Sequence, residues 1–178
     1  MKSNIALIGF MGTGKSAVGQ AVAKKLGWHF VEVDTLIEQM AGKSIPDIFQ
    51  QSGEITFREL EIEAVKRVAN GKKQVIACGG GVILNTINIS RLRETSVLVL
   101  LTASPATIMK RTSQSGDTRP LLTGADISIN RIKELLDYRK PFYQRAPDIT
   151  VNTTKLNIKS SVDVIIEKLR SYAGINLS

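Results

Sequence analysis

A parallel α/β sheet is what this 178-residue sequence predicts, and three observations carry that expectation. Short strand-like runs alternate with longer helix-like segments from one end of the chain to the other. The first run, residues 4–8, is apolar almost throughout, as a strand covered on both faces is. It ends on a glycine, and the glycine opens a phosphate-loop pattern followed by a helix.

The elements follow in order. Val18, Val22 and Leu26 stand at helical spacing over residues 15–26, and Gly27 stops them. Residues 30–34 read as the second strand, closing on Asp34. Short helices are expected over 35–40 and 46–51 around the Ala41-Gly42-Lys43 turn. A longer one covers 54–69, with Phe57, Leu60, Ala64 and Val68 along one face. Residues 74–77 form strand three, followed by Cys78 and three glycines. A helix over 85–93 leads to strand four at 97–101, and Pro105 begins a helix to about 112. The polar stretch 113–124 reads as a lid. Asp126 is placed to cap a helix over 127–139. A last strand at 149–151 precedes a closing helix marked by Ile158, Val162, Ile165, Ile166 and Leu169.

Composition is that of a single globular domain, 43% hydrophobic and 22% charged, without a run near the roughly 18 apolar residues of a membrane span. One cysteine excludes an internal disulfide, and no signal-peptide pattern opens the chain, so the cytosol is expected. The net charge of +8 comes from scattered basic pairs, and aromatics are only 5%. Nucleic-acid binding wants a concentrated basic stripe interleaved with aromatics. Arginines converging on anionic small molecules account better for the charge, and a monomer with no nucleic-acid or membrane partner is expected.

Gly9-Phe10-Met11-Gly12-Thr13-Gly14-Lys15-Ser16 fits the G-x-x-x-x-G-K-[ST] loop in its strand-then-helix context. Gly12, Thr13, Gly14 and Ala17 would bring backbone amides to the phosphates of ATP. Lys15 would reach the β- and γ-phosphates, and Ser16 would offer its hydroxyl to Mg²⁺. No N-K-x-D guanine reader accompanies the loop, and the chain is too short for a multidomain ATPase. A small-molecule kinase remains. Ligands of open α/β sheets bind beyond the carboxyl ends of the strands. Asp34 and Gly79-Gly80-Gly81 are expected there, Asp34 to take a proton from an acceptor hydroxyl. Arg58 and Arg139 are placed to clamp a carboxylate bidentately, and Arg119, in the lid, to stabilise the transferring phosphoryl. The plainer reading makes Asp34 a helix cap and the arginines surface ion-pair partners. Cys78 reads as a small buried filler, Trp28 as core, and His29 as the entry to strand two.

Together these pieces resemble a shikimate kinase over nearly the whole chain. The resemblance rests on the loop at 9–16, Asp34, Ser44-Ile45-Pro46-Asp47-Ile48-Phe49, and Gly53-Glu54 ahead of Phe57-Arg58. It continues through the triple glycine, Arg119-Pro120-Leu121-Leu122, and Tyr138-Arg139 ahead of Tyr143. It implies a P-loop NTPase fold of the nucleoside-monophosphate-kinase-like kind, five parallel strands flanked by helices with a mobile lid. It also implies that ATP and Mg²⁺ phosphorylate shikimate on its 3-hydroxyl. Asp34 would be the base, Arg58 and Arg139 the carboxylate clamp, and Gly79, Gly80 and Gly81 the backbone contacts. Phe49 and Phe57 would wall the ring within an acceptor segment of about 34–61. Arg111 and the loop at Asn152 would meet the adenine. Glu32 stands where the family usually carries aspartate, Ala17 where threonine is frequent, and Asn152 where aspartate is usual. The competing readings are a kinase for gluconate or a nucleotide, and a nucleotide-binding regulator without turnover.

Overall fold

The computed structural model describes residues 1–114 and 128–177. Five strands, β1 Asn4–Gly9, β2 His29–Glu32, β3 Gln74–Ala77, β4 Ser96–Thr102 and β5 Ile149–Asn152, form one sheet. Every pairing is parallel, in the order β2-β3-β1-β4-β5. The helices are α1 Lys15–Leu26, α2 Val33–Ala41, α3 Ile45–Ala69, α4 Thr86–Thr95, α5 Pro105–Gln114, α6 Ile129–Arg145 and α7 Ile158–Arg170. A short 3-10 turn, Val82–Leu84, separates β3 from α4 and was not expected from the sequence.

Side chains alternate across a strand, so each central strand feeds two cores. Ala6, Ile8, Ile76, Leu98 and Leu100 face α2, α3 and α4, packing with Ile37, Phe57, Ala64, Val68 and Leu92. Ile5, Leu7, Val75, Val97, Val99 and Leu101 face α1 and α7, packing with Val18, Val22, Val162, Ile165 and Leu169. Ile5, Leu7, Leu98 and Leu101 are fully buried, and each such side chain stabilises the fold by about 1.5–3 kcal/mol. Trp28 joins the second core, as expected. A smaller cluster of Phe10, Met11, Ile108 and Ile132 ties α5 and α6 to the loop after β1.

α1 has the predicted bounds. Gly14 precedes it at φ 98°, a conformation that side chains with a Cβ avoid, and Gly27 ends it. The predicted short and long helices over 46–51 and 54–69 form one element, α3, bent where Gly53 takes φ 81° and ψ 173°. Ser44 caps it by accepting from the Asp47 amide at 3.3 Å. Strand two ends earlier than the sequence suggests. β2 stops at Glu32, and Val33 begins α2, which places Asp34 in a helix first turn. Val31 and Val33 favour a strand locally, but Val33 is completely buried at the start of α2, and tertiary packing prevails. α5 runs to Gln114, so the first two residues of the predicted lid are helical, and residues 115–124 lie outside the described residues. The Asp126 cap also lies outside them, while Ser128 caps α6 by accepting from the Arg131 amide. α6 passes the predicted stop at Arg139 and continues one turn beyond Pro141 to Arg145. The ring at Pro141 removes one amide donor without ending the helix.

Both ends of the chain are pinned beside β4. Asp148 accepts from Lys2 Nζ at 2.7 Å, the Leu98 amide at 2.9 Å and the Tyr172 hydroxyl at 3.1 Å. Burial raises the Asp148 pKa, but the hydrogen bonds from Lys2, Leu98 and Tyr172 outweigh it and hold the carboxyl below its ordinary value. A depressed carboxylate contributes stability above its unfolded-state pKa and loses it as the pH falls through the folded-state pKa. Asp148→Asn is therefore expected to cost about 1 kcal/mol in urea denaturation at neutral pH. The gap should shrink as the pH falls from about 4 through the lower folded-state value.

Candidate active site

The loop between β1 and α1 is built from backbone. Lys15, 8% exposed, sends its ammonium back to the carbonyls of Gly9 and Phe10, both at 2.9 Å. Thr13, also buried, donates to the Phe10 carbonyl at 2.7 Å, which draws the loop into a closed turn over the N-terminus of α1. Such a terminus, with its unpaired amides, attracts anions. Ser16, in the first turn of α1, donates to the Glu32 carboxylate at the end of β2. Glu32 thus spans the gap to the hydroxyl directly. Among the described residues no three His, Cys, Asp or Glu side chains stand together as a metal cluster.

Opposite the loop lies a cavity of about 510 Å³, lined by residues of α2, α3 and α6 and the turn after β3. It brings together Asp34, Phe49, Phe57, Arg58, Gly79, Gly80, Gly81 and Arg139, all anticipated from the sequence. Asp34 is half-buried and backs onto Gly79, where a Cβ would stand 2.5 Å from Asp34 Oδ1. A Cβ on residue 81 would stand 2.5 Å from one Arg58 terminal nitrogen. Glycine here is a matter of space for the charged groups behind it. The Phe49 and Phe57 rings pack at 4.7 Å, Phe57 within the core and Phe49 at its edge.

The two arginines are held differently. Arg58 sits one turn past the Gly53 bend, stacked 5.1 Å from the Phe57 ring centre. One terminal nitrogen, Nη1, donates to both oxygens of Glu61 at 3.1 and 3.2 Å. Its Nε and Nη2 donate to Glu54 at 3.3 and 3.1 Å. Glu61 is 1% exposed and takes a further bond from Asn88 at 3.4 Å, whereas Glu54 is 62% exposed. Burial raises the Glu61 pKa, with Asp34 and Glu54 adding to the rise and the Arg58 guanidinium opposing it. Arg139 is 3% exposed, lies 5.1 Å over Phe10, and donates to the Gly80 carbonyl at 3.0 Å. Its Nε has no hydrogen-bond partner among the described residues. Burial raises the Tyr143 pKa against the pull of Arg139 beside it.

On the far side of the loop, Arg111 donates to the Gly12 carbonyl at 3.3 Å and to Thr153 Oγ1 and carbonyl at 3.0 and 2.8 Å. Asn152 is exposed and accepts from the Thr154 amide, so it serves the local turn. Ala17 is exposed on the first turn of α1, and Arg119 lies outside the described residues. Burial pushes the Cys78 thiol up to about 12, in keeping with a buried filler. Sequence reasoning gave Glu61 no role, and it placed Thr153 in the adenine loop with Val151 and Asn152 without assigning it a contact. The spacing of Glu61 three residues after Arg58 was the available sign of the first.

A phosphate loop facing a cavity with a half-buried carboxylate and two arginines defines a phosphotransferase on a P-loop fold. The shikimate kinase profile matches residues 11–170. A shikimate kinase of Caldanaerobacter subterraneus subsp. tengcongensis is 46% identical over 169 residues, 95% of each chain. One of Symbiobacterium thermophilum is 43% identical, over 94% of this chain and 96% of its own. The solved shikimate kinase from Acinetobacter baumannii in complex with shikimate superposes with a TM-score of 0.91. It shares 30% identity and covers 98% of this chain and 97% of its own. The chain belongs to the shikimate kinase family, an ATP-dependent kinase rather than a GTPase or multidomain ATPase.

The contact of Gly79 with Asp34 gives a direct check. Gly79→Ala is expected to push the carboxylate aside and lower turnover about a hundredfold. ADP affinity, measured by calorimetry, should stay unchanged, because the loop at 9–16 does not touch the added methyl.

Proposed function

We propose that this chain transfers the γ-phosphoryl group of ATP to the 3-hydroxyl of shikimate, giving ADP and shikimate 3-phosphate. The observation that carries the reading is the pairing of the phosphate loop with a cavity holding one half-buried carboxylate and two arginines. A hydroxylated ring bearing a carboxylate matches that set, and a neighbour of the same fold was solved with shikimate. Residues 1–178 would act as one kinase domain with an acceptor segment over about 34–61, in the cytosol and as a monomer. No helix among the described residues is long and apolar enough to cross a membrane.

Asp34 holds the acceptor hydroxyl and takes its proton as the oxygen attacks the γ-phosphorus. The new O–P bond forms while the bond to the β-bridging oxygen breaks, leaving the electron pair on ADP. Arg139 and Arg58 fork the substrate carboxylate, and Gly80 with Gly81 bound the ring on its glycine side. Phe49 and Phe57 wall the ring. Lys15 bridges the β- and γ-phosphates, backbone amides from Gly12 to Ala17 cradle them, and Arg119 from the predicted lid meets the charge in transfer. Arg111, beside the loop at Asn152, meets the adenine. Ser16 and Glu32 form a pair of hard oxygen donors, which suits Mg²⁺, an ion that usually keeps waters and takes few protein ligands beside phosphates. Held by Ser16 and Glu32 beside bound ATP, Mg²⁺ would supply neutralisation of the negative charge on the phosphates.

The test incubates the pure protein with Mg-ATP and, separately, shikimate, gluconate, a nucleoside monophosphate or no acceptor, and follows ADP release. Shikimate-dependent turnover of about 1–100 s⁻¹ is expected, and Asp34→Asn should abolish it while ADP still binds. Turnover with gluconate alone, or an active Asp34→Asn, would defeat the reading.

Glu54 occupies the Nε/Nη2 edge of Arg58 that the substrate carboxylate would use. Glu54→Gln is expected to lower the KM for shikimate about two- to fivefold, the scale of an exposed ion pair, with the KM for ATP unchanged. A higher shikimate KM would show instead that Glu54 holds Arg58 in place.

A further inference from the structure

Thr153 follows β5, is 1% exposed, and makes contacts that no neighbouring residue duplicates. Its hydroxyl stands 2.9 Å from the Thr13 carbonyl, inside the phosphate loop, and 3.1 Å from the Thr102 carbonyl at the end of β4. The same oxygen accepts from Arg111 at 3.0 Å, and the Thr153 carbonyl accepts from the other Arg111 terminal nitrogen at 2.8 Å. The Thr153 amide already donates to the Thr102 carbonyl at 2.8 Å. Thr102 therefore keeps a backbone donor without the hydroxyl, and the bond that only the hydroxyl supplies is the one to Thr13.

We propose that Thr153 is a positioning residue for the nucleotide, its hydroxyl joining the phosphate loop to the guanidinium plane of Arg111. The reading rests on the proposed kinase reaction and adds what sets the distance between the phosphate and base ends of the ATP site. Arg111 spends both terminal nitrogens on the Gly12 carbonyl and on Thr153, which fixes the plane of the guanidinium. A planar cation held by its edges keeps its faces for an aromatic base. Thr13, one residue from the turn at Gly14, cannot shift without moving the amides that cradle the phosphates. One buried hydroxyl thus holds both halves of the nucleotide site in register. Its removal leaves the Thr13 carbonyl buried without that donor, and such orphaned groups are costly.

The acceptor cavity lies on the other side of the loop and has no Thr153 contact in its lining. The consequence is a split between the two substrates. Thr153→Val keeps the shape and removes the hydroxyl. It is expected to raise the KM for ATP and the Kd for ADP about five- to twentyfold. The KM for shikimate should stay within about twofold. Thr153→Ser should restore the wild-type ATP KM, and Thr153→Cys, with a feeble donor, should fall between them. In Arg111→Ala, Thr153→Val should add less than it costs alone, because the two share a bond. Equal rises in both KM values, no rise in either, or failure of the serine variant to rescue would overturn the proposal. If Thr153→Val fails to fold, the serine and cysteine variants and the ADP titration decide it. Wild-type protein without shikimate-dependent turnover would instead defeat the kinase reading, and the ADP titration would still judge Thr153.

Discussion

Because all five strands run parallel, their carboxyl ends open along one edge, and each strand end contributes to the site. β1 delivers the phosphate loop, β2 the Glu32–Ser16 contact, β3 the triple glycine, β4 the Thr102 carbonyl and β5 Thr153. Antiparallel strands would have sent alternate ends to the opposite edge. The constraint reaches the core as well. A sheet covered on both faces must be apolar on both, which is why β1 and β4 bury nearly every residue and offer the site only backbone carbonyls at their ends. The groups of the site come from the turns that leave the edge, from Ser16 and Asp34 in the first turns of α1 and α2, and from Arg58, Arg111 and Arg139 farther along α3, α5 and α6.

That division explains what was legible in the sequence. The apolar runs and their glycine stops report burial and backbone conformation, both local properties, so the β1–α1 unit came out with its true helix bounds. Gly53 was legible as a break between two helical patterns, and it is where α3 bends. The end of β2 was not. Val31 and Val33 both favour a strand, and only packing of Val33 beneath α3 turns the chain into α2 early. Asp34 was still anticipated in the site, because the first turn of a helix after a strand opens on the same edge as the strand end.

The contacts of Glu61 and Thr153 were illegible for a different reason. A glutamate three residues after an arginine on a helix is usually a solvated partner, and nothing local says that Glu61 is buried. Thr153 makes its decisive contact 140 residues away in sequence, at Thr13, and its place in the Val151-Asn152-Thr153 loop does not announce that bond. Asn152 beside it, expected at the adenine, is exposed and accepts from the Thr154 amide. Long-range hydrogen bonds to backbone carbonyls have no periodicity to betray them.

The two arginines of the acceptor cavity face opposite problems of charge. Arg58 is at the surface of α3 and already has carboxylates on both edges, so an arriving anion must compete with Glu54 while Glu61 remains. Its attraction for substrate is therefore a difference between two similar interactions, and small. Arg139 is almost fully buried, with Gly80 as one neutral acceptor and an unpartnered Nε. Removing a guanidinium from water without a countercharge is expensive, and in the proposed reaction the substrate carboxylate would relieve that cost. Most of the discrimination for an anionic acceptor should then come from Arg139, with Arg58 orienting what Arg139 attracts. The same reasoning accounts for Glu61. Its burial raises its pKa, yet the adjacent guanidinium favours the charged form, so Arg58 and Glu61 stabilise one another as a nearly neutral unit. The cavity also carries Glu32, Asp34 and Glu38, so its preference for an anion is local to Arg139 and is not set by the net charge of its lining. The overall excess of basic residues thus matters less to the site than one buried arginine with room in front of it.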